Sequence, residues 1–210
     1  MSIYKTGVWK HSGAPNRNVL PYSDFSNVIN NNYVYKDSTK TLNGAPTIRI
    51  TASDFTSNSY KGWTSVSLKN YLTPGNKYTV SIWIYMPSDN NVDIGCEWRL
   101  YQRYNDGNST DWTGFWPNLN NIPKDTWVRY SSVYTIRDDM TDVYFNMNVV
   151  RNGTYWISEP KIEVGEIATS YIPNSIDSIY VGDTHGFIEY NDKARIQKND
   201  YIEADSFIEI

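Results

Sequence analysis

One cysteine, Cys96, stands in a chain of 210 residues, which excludes an internal disulfide and any multi-cysteine zinc site. Its place in an apolar-alternating run makes it small buried filler. There are two histidines, His11 and His185, both near the termini, so a nucleophile–histidine–acid triad or a paired-histidine metal site has almost no material. Neither a GxxxxGK loop nor a GxGxxG turn is present, which removes the common phosphate cradles. Asp138-Asp139 falls in a predicted turn, where Asp is favoured for backbone reasons. Asp93 and Glu97 form the only same-face carboxylate pair, and nothing else supports glycoside hydrolysis. Runs approaching the ~18 apolar residues of a membrane-spanning helix are absent. Charged residues make up only 20%, and the formal net charge is -4, so no basic field exists to hold a nucleic-acid backbone.

What the chain has in excess is aromatic surface. Of 8 Trp, 18 Tyr and 6 Phe, the first two types supply 26 of 32. Both join an apolar ring to a polar tip and suit half-wet surfaces as well as cores. Long helical patterns are absent, while period-two runs bounded by Asn, Asp, Gly and Pro recur, as in an all-β sandwich or barrel. The runs are Thr47–Thr51, Tyr78–Met86, Val92–Tyr104, Thr126–Ile136, Asp142–Val150 and Thr154–Val164. Pro160 interrupts the last and suggests an edge or a bend. Pro74-Gly75-Asn76 and Asn105-Asp106-Gly107-Asn108 read as turns.

Alternation assigns Tyr78, Val80, Ile82, Ile84 and Met86 to the core, and likewise Val92, Ile94, Cys96, Trp98 and Leu100. The opposite faces carry Trp83, Tyr85, Glu97, Arg99, Tyr101, Arg103, Tyr144, Asn146 and Asn148. Flat amphipathic rings mixed with amide and guanidinium groups suit a sugar, whose C–H face packs on a ring while its hydroxyls need donors and acceptors. The same residues also suit cross-strand pairs on a solvated sheet. Trp112 and Trp116, in the long polar loop Asn105–Lys124, tilt the balance towards binding. A binding platform of this kind requires that Trp83, Tyr85 and Tyr101 line one groove with Trp112 or Trp116 at its wall.

Charge divides the chain. Residues 177–210 hold 3 bases against 8 acids, net -5, which leaves 16 bases and 15 acids, net +1, for residues 1–176. The expected organisation is an N-terminal arm over 1–15, a sandwich over 16–176, and an acidic C-terminal extension over 177–210 that docks or oligomerises.

Four stretches, Asn18–Asn27 (NVLPYSDFSN), Leu72–Met86 (LTPGNKYTVSIWIYM), the strand from Trp127, and Pro160–Asn174 (PKIEVGEIATSYIPN), carry a resemblance. In that order they resemble the jelly-roll carbohydrate-binding modules of the family 4/9 type. The closing element, Ile162-Glu163-x-Gly165, Ala168-Thr169, Tyr171 and Pro173, looks like the version in tail and baseplate proteins of phages infecting Gram-positive bacteria. The resemblance implies a jelly-roll β-sandwich of two antiparallel sheets with a glycan-binding outer face and no hydrolytic activity. It also implies a structural calcium ion to which Asp24 and Glu163 contribute. Otherwise Asp24 bonds turn amides and Glu163 pairs with a base.

The leading expectation is a non-enzymatic phage tail or baseplate protein that grips host cell-wall saccharide and needs no cofactor. Its partners are then that saccharide, other tail proteins and a second copy through the C-terminal extension, with neither nucleic acid nor membrane among them. The opening MSIYKTGVWKHSG lacks the apolar centre of a secretory leader, about 7 to 15 residues, so assembly is expected in a bacterial cytoplasm, with action at the host surface. The alternatives are an inert virion spacer and an accessory module of a secreted glycoside hydrolase.

Overall fold

The computed structural model describes residues 16–57, 59–89, 96–109, 114–115, 122–174, 188–190 and 194–196. Alternation in YTVSIWIY produces strand β4 (Lys77–Tyr85), whose inward set Tyr78, Val80, Ile82 and Ile84 is buried. β4 pairs antiparallel with β7 (Trp127–Thr135) on one side and β9 (Gly153–Val164) on the other. β2 (Thr47–Ala52) and β1 (Val34–Lys36) extend the same sheet, giving the order β1-β2-β9-β4-β7. A second antiparallel sheet has the order β3-β8-β5-β6, built from Lys61–Thr64, Met140–Val149, Cys96–Tyr104 and Gly114–Phe115. Apart from the β1–β2 and β5–β6 pairs, successive strands from β1 to β9 switch between the two sheets, which makes the sandwich a jelly roll.

The core lies between them. Ile48, Ile50, Tyr155, Ile157 and Ile162 meet Trp63, Leu100, Val143, Met147 and Val149. Edge-to-face contacts run from Trp98 to Phe145 (5.9 Å), Phe145 to Trp63 (5.7 Å) and Trp63 to Phe25 (5.4 Å). Each adds about 0.5–1.5 kcal/mol beyond its area burial. Trp98 is fully buried, and its Nε1 donates to Tyr134 Oη at 2.8 Å, joining the two sheets by a polar bond inside the core. Part of the aromatic surplus is therefore core.

β9 corrects the sequence reading of Pro160. The strand lies between β2 and β4, so Pro160 is not on an edge. The bend half of the expectation holds: the pairing shifts register opposite Ser81 and Trp83, and Glu159 has φ 49. At such a bulge a residue without an N–H interrupts no ladder bond. Proline also satisfies the turn at Pro74-Gly75, where Gly75 has φ 79 and Asn76 N–H bonds Thr73 O at 3.3 Å.

Both ends of the sandwich meet against β9. Val19 N–H donates to Ile162 O (2.8 Å), and the side chain of Asn18 accepts from Leu20 and Ile162 N–H while donating to Pro160 O. Asn174 Nδ2 donates to Asn18 O (2.8 Å), and Ser23 Oγ lies 3.0 Å from Tyr171 Oη. In the C-terminal extension, β10 (Ile188–Tyr190) pairs antiparallel with β11 (Ala194–Ile196).

Candidate functional site

The sandwich has two outer faces, and the residues singled out by alternation do not share one. β4 belongs to the five-stranded sheet, whereas β5 and β8 belong to the four-stranded sheet. Trp83 and Tyr85 therefore lie on the opposite side of the molecule from Arg99, Tyr101, Arg103, Asn146 and Asn148, and no single groove unites them. Trp112 and Trp116 lie outside the described residues, as do Cys96 and Glu97 beyond their backbone.

On the five-stranded face Tyr85 stands at the centre of an aromatic group. Trp127 is 5.6 Å from it and Trp156 5.8 Å, and Lys40 Nζ sits 4.6 Å from its centroid. The polar tips are spent on the protein itself. Trp156 Nε1 donates to Asp37, Trp127 Nε1 to Thr41 O, Tyr85 Oη to Asp125, and Trp83 bonds Glu159. Tyr85 and Trp156 are each 8% exposed, so Tyr85 is not the solvated ring that alternation predicts. Farther along the sheet, residues 165–171 lie as a strap over Ser81, Lys161 and Glu163. Thr169 N–H and Oγ1 both donate to Glu163, and Lys161 Nζ donates to Thr169 Oγ1 and Ser170 O. Arg129 ties Ser81 Oγ to Thr169 O. Burial pushes the Lys161 ammonium below its usual range, against the pull of Glu163. Burial likewise raises Glu159, against Arg129 and Trp83.

This arrangement bears on the calcium expectation. Glu163 Oε2 lies 3.0 Å from Lys161 Nζ, and its Oε1 accepts from Thr169 N–H. A cation would have to displace an ammonium, so Glu163 does not fit a calcium ligand. Asp24 Oδ1 accepts from Ser26 N–H at 2.9 Å. Among the described residues no group of three or more His, Cys, Asp and Glu could hold a metal ion.

The four-stranded face is organised differently. Tyr101 of β5 and Tyr144 of β8 are directly paired across the sheet, and both are half-buried. The guanidinium of Arg103, an exposed residue, lies 5.8 Å from the Tyr101 centroid and 5.9 Å from that of Tyr144, spanning both rings. Arg99 approaches Tyr101 from the other side in sequence, at 4.8 Å. Asn146 faces Arg99 across the strands, Asn148 pairs with Glu97, and β3 adds Gly62 and Thr64 beside them. Asn146 Oδ1 is buried and accepts no hydrogen bond among the described residues. Aromatic surface, in-plane donors and an unengaged acceptor thus share one sheet face.

Alternation found most of this face and missed two members. Asp142, held by Ser67 Oγ (2.5 Å) and Tyr144 Oη (2.6 Å), is the third residue of β8 but the first of the alternating run, where it reads only as a start signal. Gly62 sits in a four-residue strand, too short for periodicity to mark. A Cβ there would meet Met147 O at 2.0 Å and Asn148 Cα at 2.7 Å, so glycine is needed where β3 presses on β8.

Two antiparallel sheets, jelly-roll crossings and one face of rings and hydrogen-bonding groups define a β-sandwich binding module. Residues 18–154 match the family CBM_4_9, the carbohydrate binding domain, and the chain belongs to that family. No curated protein matches the chain. Solved structures share the fold. The C-terminal family 22 carbohydrate binding module of Clostridium thermocellum Xyn10B superposes with a TM-score of 0.50 at 16% identity, covering 64% of this chain and 82% of that one. The CBM22-1 xylan-binding domain of Paenibacillus barcinonensis Xyn10C gives 0.50 at 9% identity, covering 75% and 100%. The CBM22-1–CBM22-2 tandem of the same protein gives 0.54 at 11%, covering 75% and 49%.

Proposed function

We propose that this chain is a non-catalytic saccharide-binding module of a phage tail or baseplate, gripping host cell-wall polysaccharide with the outer face of its four-stranded sheet. The carrying observation is the directly paired Tyr101 and Tyr144 spanned by Arg103, next to the unengaged acceptor of Asn146. Family membership supports saccharide as the ligand. The closing motif from Ile162 to Pro173 supports the phage setting, in which the terminal segments attach the module to tail proteins or to a second copy. Several weak sites on one particle raise avidity by roughly 10² to 10⁴. Binding needs no cofactor, so a chelator leaves it unchanged.

The test is co-sedimentation with purified Gram-positive cell walls, intact and stripped of polysaccharide. Retention on intact walls alone is expected; equal retention on both overturns the reading. The fold shared with xylanase modules favours a second reading, an accessory module of a secreted glycoside hydrolase. That reading expects retention on insoluble xylan and none on cell walls.

A further inference from the structure

The five-stranded sheet ends on one side in β7, a strand of nine residues whose pairing with β4 runs unbroken from Lys77–Thr135 to Tyr85–Trp127. The strands at the other sheet edges, β1, β3 and β6, have three, four and two residues. Short edges resist pairing with another chain, whereas long ones are normally blunted by Pro, Lys, a bulge or a cover. β7 carries no Pro, Lys or bulge. Its one charged residue, Arg129, spends Nη2 on Ser81 Oγ and Thr169 O, over the sheet rather than over the edge.

Ile136 N–H donates to Asn76 O, so by alternation Val128, Tyr130, Ser132 and Tyr134 turn their backbone groups to β4. Trp127, Arg129, Ser131, Val133 and Thr135 turn theirs outward. Gln102 closes the Thr135 end, its Nε2 donating to Thr135 O and its Oε1 accepting from Arg137 N–H. From Trp127 to Val133 the outward backbone groups have no hydrogen-bond partner among the described residues. The side chains beside them are incompletely covered: Val133 is 44% exposed, Ser131 is exposed, and Trp127, Val128 and Tyr130 are half-buried.

This open stretch fits itself. Laid antiparallel on a second copy about Tyr130, Trp127 meets Val133 of the second copy, Val128 meets Ser132, and Arg129 meets Ser131. Aromatic and β-branched residues make favourable cross-strand pairs, and no like charges stand opposed. Each outward N–H and C=O from Trp127 to Val133 gains a partner, about eight bonds in all. A foreign strand would satisfy the same edge, but the side chains of β7 complement their own sequence. We propose that the chain pairs with a second copy through β7, joining two five-stranded sheets into one continuous sheet about a two-fold axis at Tyr130. That axis runs normal to the sheet, so equivalent faces of the two copies point the same way. Both Tyr101–Tyr144 faces are then turned towards one surface, which makes the saccharide-binding reading bivalent. The contact lies on the sandwich, apart from the terminal segments.

The experiment is sedimentation of the full chain over a wide concentration range without saccharide, with amide exchange read at both ends of the range. A monomer–dimer equilibrium is expected. In the dimer the N–H groups of Trp127, Arg129, Ser131 and Val133 should exchange more slowly than in the monomer, while those of Val128, Tyr130 and Ser132 are protected in both. Ser131→Lys sets an ammonium opposite Arg129 of the second copy, twice over by symmetry. Ser131→Pro removes one outward donor and leaves the bonds to β4 in place. Both variants should sediment as monomers over the same range, and Ser131→Thr should keep the dimer. Ser131 is exposed, so the lysine variant should keep the melting curve of the monomeric parent, which is recorded alongside. A parent that is monomeric throughout, a dimer unmoved by Ser131→Lys, or outward amides already protected in the monomer overturns the proposal. With no saccharide in the cell, each of these outcomes leaves the saccharide-binding reading standing.

Discussion

Lys161 Nζ lies 3.0 Å from Glu163 Oε2, and neither side chain is exposed to solvent. The pair stands on the outer face of a central strand, where alternation alone would place solvated residues. It is buried because the strap from 165 to 171 closes over it, with Thr169 bonded to both partners. Breaking such a pair is costly because the survivor remains charged and buried, whereas replacing both partners by apolar groups costs much less. Lys161→Met should therefore lose about 3–5 kcal/mol in urea unfolding. Lys161→Met with Glu163→Leu should recover a large part. Failure to recover would assign the strap's hold to the hydrogen bonds of Thr169 rather than to charge.

Glu159 gives the fold a pH dependence of defined sign. Burial raises its carboxyl above the reference value of 4.5, against Arg129 and Trp83. The folded state then holds its proton more tightly than the unfolded chain does. Its contribution is complete below the unfolded value and is lost as pH rises through the folded one. Glu159→Gln should thus gain melting temperature relative to the parent as pH rises from 4 towards neutrality, and gain little at the acid end. A difference that is flat with pH would show that Glu159 is as well solvated folded as unfolded.

Gly62→Ala tests the close approach of β3 to β8. Its Cβ would meet the carbonyl oxygen of Met147, which no rotamer change can move aside. A loss of about 1–3 kcal/mol is expected from overpacking. Hydrogen exchange should place the damage at the pairing of Gly62 and Thr64 with Asn148 and Asn146.

The two outer faces should separate under mutation. Tyr101→Ala and Asn146→Ala should reduce saccharide retention by about tenfold while leaving the melting curve near the parent's, since neither residue belongs to the core. Tyr85→Ala and Trp156→Ala should lower the melting temperature with little effect on retention, because their rings pack on each other and their tips bond Asp125 and Asp37. The reverse pattern would move the site to the five-stranded face.

Asn18→Ala should be among the more damaging polar truncations. Its side chain satisfies Leu20 N–H, Ile162 N–H and Pro160 O in a fully buried setting. Leaving such groups unpaired costs about 1–3 kcal/mol each where water cannot replace the partner. Chemical denaturation of the variant measures the sum.

How much of this was legible in the sequence depends on distance. β4 was readable because each residue from Tyr78 to Tyr85 declares its side through its neighbours two positions away. Trp98 was readable as core for the same reason, though its hydrogen bond to Tyr134 was not. Alternation assigns a side of a strand and says nothing about which sheet the strand joins. β4 and β5 are consecutive in the chain, yet the crossover sends them to opposite sheets, and Trp83 parts from Tyr101. Bonds such as Trp156 to Asp37 or Arg129 to Thr169 join residues far apart in sequence, and no local pattern announces them. β3 is missed because Lys61 and Gly62 leave a four-residue strand with no period to detect.

The cluster around Asn18, Ser23, Tyr171 and Asn174 gives the module a mechanical character. The chain enters and leaves the sandwich through a single hydrogen-bonded knot against β9. A force applied between residues 16 and 174 loads that knot first, while the strands beyond it carry none of the tension. Loaded at these two points, the module would behave like a bead on a closed loop rather than a link in series. Pulling on both ends should undo the knot before it disturbs the sheet that carries Tyr101 and Tyr144.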